Sequence, residues 1–174
     1  MTTYVALLRG INVGKAKAVS MSKLASVFAA LGFSDVRTVL RSGNVVFQAS
    51  LAAAGAIEAA VLAATGVHAS VLILSGEQFL EIARENPLRA ASTDGSKLFV
   101  TFVSSMPKQL ELPDASALAP EQLAVTDRAI YQWMPDGSQA TRVPTTFWKQ
   151  FNAAGAVITA RNDNTVQKIA ALLE

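Results

Sequence analysis

Three apolar runs in this sequence fail to alternate, and that limits the folds open to it. Val5-Ala6-Leu7-Leu8, Val71-Leu72-Ile73-Leu74 and Leu98-Phe99-Val100 are each continuous, and each reads as a short buried strand. A strand with one wet face alternates apolar and polar side chains, because successive residues point to opposite faces. These runs therefore predict sheets covered on both faces, by a second sheet or by a second chain.

The elements around the runs recur in one order. Residues 4–8 form the first strand, closed by Arg9-Gly10. Met21, Leu24, Phe28 and Leu31 then repeat at helical spacing, with Ser20 or Ser22 as cap and Gly32-Phe33 as stop. Residues 36–40 and 45–48 are strand-like, and Ser42-Gly43-Asn44 between them predicts a tight hairpin. A helix over 51–65 puts Ala54, Ile57, Val61 and Ala64 on one face, Gly66 ends it, and residues 69–74 supply a fourth strand. The order β-α-β-β-α-β predicts a ferredoxin-like (α/β-plait) unit over residues 1–74. Ser75 and Gln78 read as a capping box opening a bridging helix within 75–88, halted at Asn86-Pro87.

Residues 89–174 repeat the order less regularly. Residues 98–103 are a strand. Pro113 and Pro120 leave any helix in 108–122 short or broken. Residues 123–126 and 130–134 make a hairpin, and 146–154 a helix with Phe147 and Phe151 one turn apart. Residues 157–160 are the last strand, and a closing helix turns Val166, Ile169, Ala170 and Leu173 inward. The fold expected is α+β: tandem ferredoxin-like units with a bridging helix and a C-terminal helix.

Composition narrows the chemistry. Apolar residues make up 51% of the chain and charged ones 16%, which favours a packed core over disorder. Without cysteine there are no disulfides, thiolate metal sites or cysteine nucleophile, and one histidine cannot build a multi-histidine metal site. No metal and no cofactor are expected. The opening residues lack the basic segment and cleavage site of a signal peptide. The uncharged stretch 59–76 is interrupted by Gly66, His68 and Ser70, so it reads as helix end, turn and strand and not as a membrane span. A cytoplasmic protein without membrane contact is the expectation.

Charge is uneven. Residues 1–74 carry six basic side chains against Asp35 and Glu58, a balance of +4, while the remainder carries nine basic and eleven acidic, a balance of −2. The basic half points to an anionic partner. Its cations gather around two loops, Arg9-Gly10-Ile11-Asn12-Val13-Gly14 and Arg41-Ser42-Gly43-Asn44. In a βαββαβ unit the first and second strands run the same way, so both loops fall at one sheet edge. Arg9, Asn12, Lys15 and Lys17 then lie beside Arg41, Ser42 and Asn44, near the start of the first helix. Such a cluster suits phosphate, sulfate or carboxylate. The competing reading is that arginine and asparagine only satisfy backbone carbonyls in tight turns.

The Gly10 to Gly14 spacing lacks the Gly-Lys-Ser/Thr end of a P-loop, and Phe47 is the sole aromatic near the hairpin that could stack a base. Arg161 and Asn162 join the candidate ligand-binding set from the far end of the chain, with capping of the last helix as their alternative. No nucleophile–base pair, carboxylate pair or metal-ligand set is legible, so no reaction is assigned. The classes open are a module binding a phosphate-bearing small molecule or nucleic acid, a protein-interaction or homodimerisation module, and an enzyme, in that order.

Several segments resemble the bacterial domain-of-unknown-function 1697 family. These are residues 4–14 (Tyr4-Val5-Ala6-Leu7-Leu8-Arg9-Gly10-Ile11-Asn12-Val13-Gly14), then Met21 and Leu24, Leu31-Gly32-Phe33, and Ser42-Gly43-Asn44-Val45-Val46-Phe47. Thr159-Ala160-Arg161-Asn162 with Thr165-Val166 extends the likeness to the whole chain. The resemblance implies a tandem ferredoxin-like fold and no established activity. Lys15 stands where a second glycine is usual in that family, Asp163 where a tryptophan is common, and Arg142-Val143-Pro144 near an expected Ser-Lys-Leu.

Overall fold

The computed structural model describes residues 1–174. It holds six α-helices and two four-stranded antiparallel sheets, ordered β2-β3-β1-β4 and β6-β7-β5-β8. The first sheet is built from β1 (Thr2–Arg9), β2 (Ser34–Val39), β3 (Asn44–Ala49) and β4 (Ser70–Ser75), with α1 (Met21–Ala30) and α2 (Ala54–Thr65) in the connections. The second is built from β5 (Leu98–Val103), β6 (Gln122–Val125), β7 (Ala129–Trp133) and β8 (Ile158–Asn162), with α4 (Ala115–Leu118) and α5 (Thr145–Ala153). Two further helices are α3 (Gly76–Arg84) and α6 (Asp163–Ala171). By packing the chain divides into two compact units, Met1–Glu81 with Lys168–Glu174, and Ile82–Gln167. That division falls inside α3 and α6, so residues 75–81 go with the first unit and 82–88 with the second.

In the first unit one face of the sheet carries α1 and α2. Leu24, Val27 and Phe28 of α1 and Ile57 and Val61 of α2 close over Ala6, Leu8, Val45, Phe47 and Val71. Tyr4 lies opposite Phe47 in the β1–β3 register, and the two rings stack at 5.7 Å. Phe28 meets Phe47 edge-on at 5.1 Å, an arrangement aromatic pairs favour. The stop read at Gly32-Phe33 is present: Gly32 has φ +82°, and the Phe33 N–H donates to the Phe28 carbonyl at 3.3 Å. That left-handed closure folds Phe33 back, where its ring stacks on Phe47 at 4.7 Å. The box at the start of α3 is reciprocal. The Gln78 N–H donates to Ser75 Oγ at 3.1 Å, and the Ser75 N–H to Gln78 Oε1 at 2.9 Å.

The second unit has its own cluster, in which Phe147 and Phe151 of α5 pack on Val103, Ile130 and Ile158. Where the prolines fall, the helix between β5 and β6 is reduced to the four residues of α4, capped by Asp114 Oδ1 accepting from the Ser116 N–H at 2.9 Å. The rest of that connection is tied down by a side chain. Gln150 accepts from the Glu111 N–H at 2.8 Å and donates to the Glu111 carbonyl at 3.0 Å.

The central strands are closed on both faces, as their unbroken apolar runs predict. Val5, Ala6, Leu7 and Leu8 are at most 1% exposed, and Val100 and Phe102 are fully buried beside Thr101. Coverage thins at Ile73 and Leu74 on the edge strand β4 and at Phe99 near the start of β5, which are half-buried.

Candidate functional site

β1 and β2 both pair antiparallel with β3, so they run in the same direction and end at the same edge of the first sheet. The loop after Arg9 and the hairpin after Val39 therefore meet. Their junction is made by Asn12, which sits in the left-handed region at φ +55°. Its Oδ1 accepts from the Val19 N–H at 2.8 Å, and its Nδ2 donates to the carbonyls of Val19 at 3.0 Å and Arg41 at 2.6 Å. One amide thus closes its own loop and clamps the hairpin to it. The Asn12 N–H donating to Lys17 O at 2.6 Å completes the closure around the short 3-10 turn Lys15–Lys17.

Gly43 is packed into the same junction. Its carbonyl accepts from the Leu8 N–H at 2.8 Å, and at φ +91° it lies so close to Ile11 that a Cβ would stand 2.7 Å from Ile11 Cδ1. No other residue type fits there without moving the apolar underside of the loop. Asn44 is fully buried, and its Nδ2 donates to the Val39 carbonyl at 2.7 Å and to Ser42 Oγ at 2.9 Å. The structure thus brings together seven of the nine residues singled out from the sequence, with a division of labour. Asn12 and Asn44 hold backbone, while Arg9, Lys15, Lys17, Arg41 and Ser42 are exposed on the outside of the junction.

The edge has little negative charge of its own. The first acidic residue in the chain is Asp35, and it pairs with Arg37 at 3.0 Å. Glu58 is engaged in accepting from the Val71 N–H at 2.9 Å. Helix α1 opens at the same edge with Ser20 as its cap, Oγ accepting from the Lys23 N–H at 3.1 Å. His68 is exposed just before β4, its carbonyl 3.4 Å from where a Cβ on Gly10 would stand.

Arg161 and Asn162 belong to the second sheet, as the final residues of β8. Arg161 is 8% exposed and donates from Nη1 to Thr159 Oγ1 at 2.8 Å and to the Ala160 carbonyl at 2.9 Å. Burial pulls its guanidinium down to about 10, because a low-dielectric site disfavours the cation. Asn162 Oδ1 accepts from the Thr165 N–H at 3.0 Å and so caps α6. No group of three or more His, Asp or Glu side chains is gathered as a metal site. No helix is long and apolar enough to cross a membrane.

One feature of the second unit carried no warning in the sequence. A cleft of about 630 Å³ opens beside β6, walled by Leu88, Leu112, Leu118, Leu123 and Trp133. The paired prolines signalled a broken helix, but a cleft is made by what fails to fill the space, and no motif records that.

The class this architecture defines is an α+β protein of two four-stranded antiparallel sheets. The family model described as "Protein of unknown function (DUF1697)" matches residues 1–131, and the chain belongs to that family. Among solved structures it is similar to the conserved bacterial protein SP0830 from Streptococcus pneumoniae. The two are 25% identical, the match covers 99% of each chain, and the TM-score is 0.70. No curated protein matches the chain.

Proposed function

We propose that the chain is a tandem of ferredoxin-like units, and that the loop edge of the first binds a phosphate-bearing ligand. The fold part rests on the βαββαβ order and on the strand order, which is the same in both sheets. The functional part is carried by one observation: the Asn12 clamp. Its bond to the Arg41 carbonyl fixes two cation-bearing loops against each other while the side chains of Lys15, Lys17 and Arg41 stay exposed. A site whose backbone is already ordered spends little entropy when an anion arrives, and the start of α1 adds the positive end of a helix dipole.

The test is thermal denaturation with and without inorganic phosphate. Wild type should show a saturable rise in Tm of about 5–10 °C at phosphate one hundred times its Kd. The triple variant Lys15→Gln, Lys17→Gln, Arg41→Gln should lose the rise and keep its phosphate-free Tm. A wild-type Tm indifferent to phosphate and to a nucleoside triphosphate sinks the reading. So does a triple variant that is destabilised without any anion, for then the cations hold only the fold.

A further inference from the structure

β6 lies at the edge of the second sheet, and the hydrogen-bond pattern shows which of its backbone groups face out. The Thr126 N–H donates to the Ala129 carbonyl at 3.0 Å, and on the other side of β7 the Met134 N–H donates to the Lys97 carbonyl at 2.8 Å. In an antiparallel ladder, bonded pairs alternate with unbonded ones. Ala124 opposite Tyr131 and Gln122 opposite Trp133 are therefore the bonded rungs. The N–H and C=O groups of Leu123 and Val125 point the other way, off the sheet, and both residues are only half-buried.

The cleft lies along that open edge, and both sheet faces contribute to its walls. Leu118, Leu123 and Val125 belong to the face covered by α5. Gln122 and Trp133, one register step out of phase with Leu123 and Val125, belong to the opposite face. Leu112, 62% exposed, stands at the mouth. An added strand has this shape: main chain on the open rungs, and successive side chains dropping alternately onto the two faces.

We propose that this cleft binds a short extended peptide with small apolar side chains, added antiparallel or parallel to β6 as a further strand. The charge of the site argues for an uncharged occupant. Its one ionisable lining residue, Glu121, is 6% exposed and already committed. Oε1 accepts from Thr141 Oγ1 at 2.7 Å and Gln132 Nε2 at 3.2 Å, and Oε2 from the Arg142 N–H at 2.6 Å. A lipid tail would match the walls and leave the Leu123 and Val125 amides unpaired. The volume falls within the ~300–1,000 Å³ typical of ligand sites. The brevity of the edge, four residues preceded by Pro120, favours a short peptide over pairing with a second copy, since short proline-flanked edges resist self-association.

The probe is a capped pentapeptide alternating valine and alanine, titrated to millimolar concentration into the full chain carrying Trp148→Phe, so that Trp133 alone reports by emission. Saturable change in that emission is expected, together with about tenfold slower hydrogen exchange at the Leu123 and Val125 amides. The same peptide methylated at every internal amide should not bind. Leu123→Pro removes an outward N–H that no rung uses, and should weaken binding about tenfold with circular dichroism unchanged. Should that variant fail to fold, Ala115→Trp, which fills the cleft from an exposed position, must abolish binding instead. Three results would overturn the proposal: no response of either probe, equal binding of the methylated peptide, or concentration-dependent protection of the two amides with no peptide present.

Discussion

The two sheets share one strand order and differ in what crosses from their first strand to their second. In the first unit the crossing element is α1, ten residues long, capped at Ser20 and closed at Gly32. In the second it is α4, four residues long within the connection 104–121. All six prolines of the chain follow Asn86, and three of them fall in that connection. Proline removes a helical hydrogen bond and clashes with the preceding turn, so the longer helix cannot form there. A full helix buries Leu24, Val27 and Phe28 against its sheet, whereas the broken one buries Leu118 and leaves Leu112 outside. The first unit is thereby packed and carries exposed cations on a loop edge, and the second keeps a cleft. One strand order supports both because the sheet fixes only where a connection begins and ends.

The comparison breaks first, if it breaks, at the central strands. Leu7→Asp and Val100→Asp each put an unpaired charge where exposure is nil, at a cost of about 3 kcal/mol or more. Both should unfold the unit they sit in, as read by loss of circular dichroism signal. A folded Val100→Asp beside an unfolded Leu7→Asp would mean that the second sheet has an open face after all.

The crossings themselves are tested by matched truncations. Leu24→Ala should cost about 4 kcal/mol, since α1 is enclosed and the void cannot collapse. Leu118→Ala should cost nearer 2 kcal/mol, since its side chain borders a space already open to solvent. Equal urea midpoints for the two variants would remove the distinction between a filled and an unfilled crossing.

A smaller effect belongs to the second unit alone. The Tyr131 hydroxyl donates to the Ile82 carbonyl at 2.8 Å. Burial, assisted by the negative charge of Glu85, pushes its pKa up to about 12. The folded value lies above the unfolded one near 10, so this tyrosine supports the fold fully below pH 10. That support is lost as the pH rises through 12, at roughly 1 kcal/mol per pH unit. Tyr131→Phe should be less stable at neutral pH by about 1 kcal/mol and should decline less steeply between pH 10 and 12. An alkaline limb as steep as that of wild type would place the titration elsewhere.

Much of this architecture is legible in the residues. Gly32-Phe33 and Ser75-Gln78 stop and start helices where local chemistry says they should, because capping depends on groups within a few residues of each other. The meeting of the 9–18 loop with the 41–44 hairpin also followed, since parallel strands must end at the same edge. The role of Asn12 did not follow: whether its amide faces a ligand or the Arg41 carbonyl depends on a partner 29 residues away. The last strand ends two residues beyond the expected 157–160 for a related reason. β8 runs on through Arg161 and Asn162 because Val100 and Phe99 of β5 stand opposite them, and a pairing partner lengthens a strand beyond what its own residues demand.

By itself, then, the sequence determined the order of elements, the burial of β1 and β5 and the breakage of the second crossing, all of which follow from local propensity and periodicity. Tertiary structure alone decided that Asn12 and Asn44 serve the backbone, that Arg161 is buried among Thr159 and Ala160, and that space remains beside β6. Hydrogen-bond partners and unfilled volume are relations between segments distant in the chain, and they exist only once those segments have packed.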